Sequence, residues 1–148
     1  MEDFDAILDR YYSSWRAYDA AYDAWGAKFG LSYTELLILY SFREAGDGGC
    51  TQSDICRQWY IPKQTVNSAL KLLERQRYVA LSSSKADRRS KTAALTEAGR
   101  DLAERAIGEL KRAEERAAER MGEEEFRAMV RYAERFVELL RADIGVDG

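Results

Sequence analysis

Hydrophobic positions in the first thirty residues fall on a single stripe. Phe4, Leu8, Tyr11, Trp15, Tyr18, Tyr22, Trp25 and Phe29 are spaced alternately four and three apart, the interval that keeps side chains on one helix face. The stripe predicts a long first helix, with Gly30 as its C-terminal cap. Ser32-Tyr33-Thr34-Glu35 reads as a capping box that opens a second helix through "ELLILYSF". Gly46-Asp47-Gly48-Gly49 breaks the chain. Thr51-Gln52-Ser53-Asp54 is a weaker capping pattern at the head of a short third helix. Pro62, the single proline, is tolerated in a helix's first turn and marks the start of a fourth, "PKQTVNSALKLLERQRY".

The periodicity then changes. Val79-Ala80-Leu81 and Thr92-Ala93-Ala94-Leu95 predict the two arms of a hairpin, with Ser82 to Ser84 and the charged run "KADRRSK" as its tip. Thr96 caps a long charged helix from Glu97 to Arg120, and Gly122 interrupts it. Glu123, Glu124 and Glu125 lie in the first turn of a last helix, where negative charge suits the dipole. That helix is expected to bury Phe126, Met129, Val130, Ala133, Phe136, Val137 and Leu140 on one face. The order of elements predicts a mostly α fold: a winged helix-turn-helix with a short β-hairpin wing and long terminal helices. At 148 residues it is one domain's worth of chain.

Charge sharpens this picture. The formal net charge is −3, yet between Arg57 and Lys91 nine basic residues accompany two acidic ones, a local +7 against −10 for the remainder. A basic middle between acidic ends is the footprint of a polyanion-binding module. The fourth helix fits that role. Val66, Ala69, Leu70 and Leu73 define its buried face; Gln64, Ser68, Lys71 and Arg75 fall opposite, with Thr65 and Asn67 on the flanks and Lys63 in the first turn. Gln and Asn near the N-terminus can read adenine edges in a major groove, while Lys and Arg neutralise phosphates. By itself such a stripe also fits an ordinary solvated face; the basic segment and the hairpin favour DNA. In the hairpin tip, Arg88 and above all Arg89 suit a narrow minor groove, whose negative potential attracts an inserted arginine. Asp87 orients an arginine or serves as a turn residue.

Other chemistry is poorly supported. The chain has no histidine, so neither Ser-His nor Cys-His pairs exist; it has no Gly-rich phosphate loop either, and an enzyme is not expected. Two cysteines, Cys50 and Cys56, are too few for a structural zinc site, and no metal or cofactor is expected. No run of eighteen apolar residues and no signal peptide appears, which implies a cytoplasmic protein without membrane contact.

The residues resemble the MarR family of bacterial transcriptional regulators. Asp87-Arg88-Arg89, a spacer, then Leu95-Thr96 and Gly99 are similar to the family's D-x-R…L-T-x-x-G wing signature, and "TVNSALKLLERQRYV" to its recognition helix and first wing strand. Tyr78 stands where a glycine is common after that helix, and Trp59-Tyr60 is bulkier than usual between the two reading-head helices. The resemblance implies residues 32–96 as the DNA-binding winged helix-turn-helix and 1–31 with 97–148 as helices of a symmetric homodimer. It also implies a small-molecule pocket between those parts, near which Trp15, Tyr18, Tyr22 and Tyr40 are expected. The DNA-binding set is Lys63, Gln64, Thr65, Asn67, Ser68, Lys71, Arg75, Asp87, Arg88 and Arg89, acting on a pseudo-palindromic duplex. Two alternatives stay open: a winged-helix protein-interaction module that no longer binds DNA, and a redox sensor acting through Cys50 or Cys56.

Overall fold

Capping chemistry decides where the helices begin and end. The computed structural model describes residues 3–83 and 91–146. Helix α1 (Phe4–Ala27) ends where Gly30 turns left-handed at φ +70°; the Leu31 N–H then reaches back to the Gly26 carbonyl at 3.0 Å and the Gly30 N–H to Ala27 at 3.1 Å. This is the Schellman pattern that satisfies a helix's last carbonyls. Helix α2 (Tyr33–Ala45) opens on a complete capping box: Ser32 Oγ accepts from the Glu35 N–H, and Glu35 Oε2 accepts from the Ser32 N–H and hydroxyl at 2.8 and 2.7 Å. Helix α3 (Gln52–Trp59) has the same device in Thr51 and Asp54. Helix α4 (Lys63–Arg75) has Pro62 as its N-cap, one residue ahead of the expected first-turn position.

Strands β1 (Cys50–Thr51), β2 (Val79–Ser83) and β3 (Lys91–Leu95) form an antiparallel sheet in the order β1-β3-β2. Val79 lies opposite Leu95 and Ser83 opposite Lys91. The hairpin arms are therefore longer than the sequence predicts: Ser82 and Ser83 belong to β2 rather than to the tip, and the Ser82 hydroxyl donates to the Thr92 carbonyl across the ladder. The expected tip, with Asp87, Arg88 and Arg89, lies outside the described residues. Strand β1, which pairs Cys50 with Ala93, was not expected; two residues carry no readable alternation.

Beyond the sheet run α5 (Glu97–Ala103), a π-helical turn over Glu104–Gly108, α6 (Glu109–Met121) and α7 (Glu123–Ile144). The single helix expected from Glu97 to Arg120 thus contains one wide turn. The Ala106 carbonyl there accepts the indole N–H of Trp25 at 2.8 Å. Residues 1–109 and 110–148 form two compact units. Within the first, Leu36, Ile38, Leu39 and Phe42 of α2, Ile55 of α3, Val66 and Leu73 of α4, and Leu102 and Ile107 are all buried. A part-buried polar chain reinforces this core: Trp59 Nε1 donates to Ser41 Oγ at 2.7 Å, and that hydroxyl donates to Gln58 Oε1 at 2.6 Å, tying α3 to α2. In the second unit the apolar face of α7 departs from the sequence expectation. Phe126, Met129, Val130, Phe136, Val137 and Leu140 each keep more than a third of their surface exposed in the single chain.

Candidate nucleic-acid interface

Helix α4 is the element on which the expected reading residues converge. Its buried side consists of Val66, Leu70 and Leu73, with Ala69 half-buried. Lys63, Gln64, Thr65, Ser68, Lys71 and Arg75 are exposed, and Asn67 is half-buried on the flank. Hydrogen bonds fix the helix at both ends. Ahead of it, Gln52 Nε2 donates to the Lys63 carbonyl at 2.8 Å, tying the start of α3 to the start of α4. One of the expected polar groups is already engaged: the Ser68 hydroxyl donates to the Gln64 carbonyl at 3.0 Å.

The far end of α4 explains the Leu-Thr-x-x-Gly sequence physically. Arg77 adopts a left-handed backbone, φ +64°; its N–H meets the Glu74 carbonyl and the Tyr78 N–H meets Leu73, both at 2.9 Å. This is a second Schellman cap, and the residue at its glycine-favouring position is Arg77, not Tyr78 as the sequence suggested. For an L-residue that conformation costs about 1–2 kcal/mol, since Cβ crowds the following carbonyl. Thr96 locks the turn. Its hydroxyl donates to the Arg77 carbonyl at 2.6 Å while accepting from the Gly99 N–H at 3.0 Å, and its own N–H donates to the Tyr78 carbonyl at 3.0 Å. Gly99 packs so closely that a Cβ would lie 1.9 Å from the Tyr78 oxygen. The α5 N-terminus thereby holds the junction between α4 and β2.

The third helix carries a compact electrostatic device. Asp54 pairs with Arg57 at 2.5 Å while accepting from the Thr51 hydroxyl and N–H. Those Thr51 bonds first, and Arg57 after them, hold the Asp54 carboxyl below its ordinary range. Burial, and secondarily Asp54, pushes the Cys50 thiol up to about 12. A buried thiol of that kind is a poor nucleophile, which disfavours peroxide sensing at Cys50. Cys56 is half-buried and, like Cys50, forms no disulfide.

The four aromatics expected around a ligand pocket pack on different neighbours within the single chain. Trp15 packs on Tyr11 and Tyr12, with ring centroids 5.2 and 6.4 Å away. Tyr18 stacks on Tyr22, which stacks in turn on Tyr33. Tyr40 instead meets Trp59 edge-on at 5.3 Å, on the α2–α3 side. Trp15 and Tyr18 are more than half exposed in the single chain. Among the described residues no helix is long and apolar enough to cross a membrane.

Comparison with known proteins agrees with this geometry. A MarR family regulator from Neisseria meningitidis superposes with a TM-score of 0.76 at 23% identity, over 98% of each chain. S. aureus MepR in complex with DNA gives 0.76 at 23% identity, over 93% of this chain and 98% of that one. BpsR of Bordetella bronchiseptica, described for the regulation of its DNA binding by 6-hydroxynicotinic acid, gives 0.71 at 21% identity, over 92% and 99%. No curated protein sequence matches the chain. Residues 29–90 match the sequence model of the MarR family, and the chain shares the winged helix-turn-helix fold of these regulators.

Proposed function

We propose that this protein is a homodimeric transcriptional regulator that binds duplex DNA, with α4 in the major groove, the wing arginines in the minor groove, and affinity modulated by a small molecule. The exposed face of α4 carries the reading: amide and cationic side chains from Lys63 to Arg75 stand opposite a buried Val66-Leu70-Leu73 face. Gln64 and Asn67 suit base edges, and Lys71 and Arg75 suit phosphates. The exposed apolar stripe of α7 supports the dimer, since a second copy would supply matching apolar surface. Half-exposed aromatics on α1 favour a ligand site completed by that copy. Gel shifts on genomic fragments at several salt concentrations, followed by footprinting, test the whole reading. Protection should cover two half-sites roughly 10 base pairs apart, centre to centre. Absence of any shift at low salt would leave the protein-interaction alternative instead.

A further inference from the structure

Among the described residues only Tyr60 and Arg77 combine a side chain with a left-handed backbone, and they bracket α4. At Arg77 the conformation is imposed from both sides. The α4 cap requires it, and Thr96 holds the Arg77 and Tyr78 carbonyls. Glycine would fit that turn without the Cβ clash. A long charged side chain stands there instead, exposed and without an ion pair or side-chain hydrogen bond among the described residues. It sits in the +7 segment, two residues beyond Arg75, on backbone pinned by rigid elements. Backbone strain tolerated at an exposed, fixed position is the mark of a side chain retained for contact with something else. A guanidinium in such a setting fits a phosphate oxygen, which it binds with fixed, forked donors.

We propose that Arg77 is a DNA-backbone contact, holding a phosphate at the edge of the groove that α4 enters; this rests on the DNA-binding reading above. The competing role is local: a cation at a helix C-terminus complements the dipole. The two roles move different observables. The experiment uses the full chain and two duplexes, one selected by the wild-type protein from random sequence and one scrambled, with binding measured across salt and Tm measured in parallel. Arg77→Gln keeps the backbone demand and removes the charge. It should bind both duplexes roughly five-fold more weakly at 0.15 M salt, with a log–log salt slope shallower by about 0.9, as expected for one lost phosphate contact. Arg77→Gly should show the same loss while its Tm rises by about 2–4 °C, a protein that folds better and binds worse. Arg77→Lys should retain most of the affinity. Wild-type affinity and slope in Arg77→Gln, with only a lowered Tm, would reduce Arg77 to a helix-end charge. A loss confined to the selected duplex would make it a base contact and overturn the phosphate assignment. A wild-type protein that selects and binds no duplex would remove the DNA-binding reading and this inference with it.

Discussion

Helices α4 and α7 carry the same kind of apolar stripe and meet opposite fates. In α4, Val66 and Leu73 are fully buried and Leu70 nearly so. In α7, Phe126, Val130, Val137 and Leu140 recur at equivalent spacing, yet each keeps 38–41% of its surface. The cover for α4 lies in α2 and α3; the stripe of α7 stays more than a third exposed. Periodicity encodes that a face is apolar, because side chains three and four apart share it. It does not encode what meets that face. The two stripes therefore answer to different equilibria: folding for α4 and, on the dimer reading, association for α7.

The largest expected effect breaks the comparison on the α4 side. Leu73→Ala removes a fully buried side chain and should cost about 2–5 kcal/mol, read from urea or thermal unfolding. Leu140→Ala should barely change the unfolding of the reading head, yet weaken self-association in sedimentation experiments. If Leu140→Ala destabilises the head as Leu73→Ala does, the two stripes belong to one cooperative core and the contrast collapses.

Two glycines sharpen the same lesson at the helix ends. Gly99 has no room: a Cβ would sit 1.9 Å from a backbone oxygen pinned between α4 and β2. Gly30 has open space around its Cβ position but a left-handed φ of +70°. Gly99→Ala should lose about 1–3 kcal/mol through forced backbone movement, and Gly30→Ala about 1 kcal/mol through conformation alone. Paired denaturant titrations would reverse that ranking only if the α5 N-terminus moves freely away from Tyr78.

Much of this was legible in the sequence, and the reasons are local. The Ser32–Glu35 and Thr51–Asp54 boxes, the Gly30 stop and the buried face of α4 depend on residues within one or two turns of each other, so spacing announces them. The wide turn at Glu104–Gly108 presents the Ala106 carbonyl to the indole of Trp25, some eighty positions away. No pattern inside "ERAIG" marks it. The left-handed position after α4 was displaced by one residue for a similar reason: Thr96 and Gly99, distant in sequence, fix the turn. The neighbours of the aromatics were not legible either. Tyr40 faces Trp59 while Tyr22 faces Tyr33, and helical spacing alone cannot say which neighbouring element a ring meets.

The smallest expected effect concerns the two N-termini of the reading head. Helix α4 begins at Pro62 without a side-chain cap, whereas α3 begins with a carboxylate, Asp54, held by Thr51 and Arg57. The lowered Asp54 value fixes the sign of its pH dependence. A carboxyl that ionises more readily when folded stabilises the fold above its unfolded value, ordinarily near 3.8. That stabilisation is lost as pH falls from there through the lowered folded value. Asp54→Asn should therefore lower Tm at neutral pH, and the gap to the wild type should narrow as pH falls below 3.8 and through the lowered folded value. The group is largely exposed, so salt should shrink the Arg57 share of the gap while leaving the Thr51 share. Thermal melts of the two proteins between pH 7 and 2.5, at low and high salt, provide the measurement. A gap constant across that range would mean that Asp54 acts through shape and hydrogen bonding rather than charge.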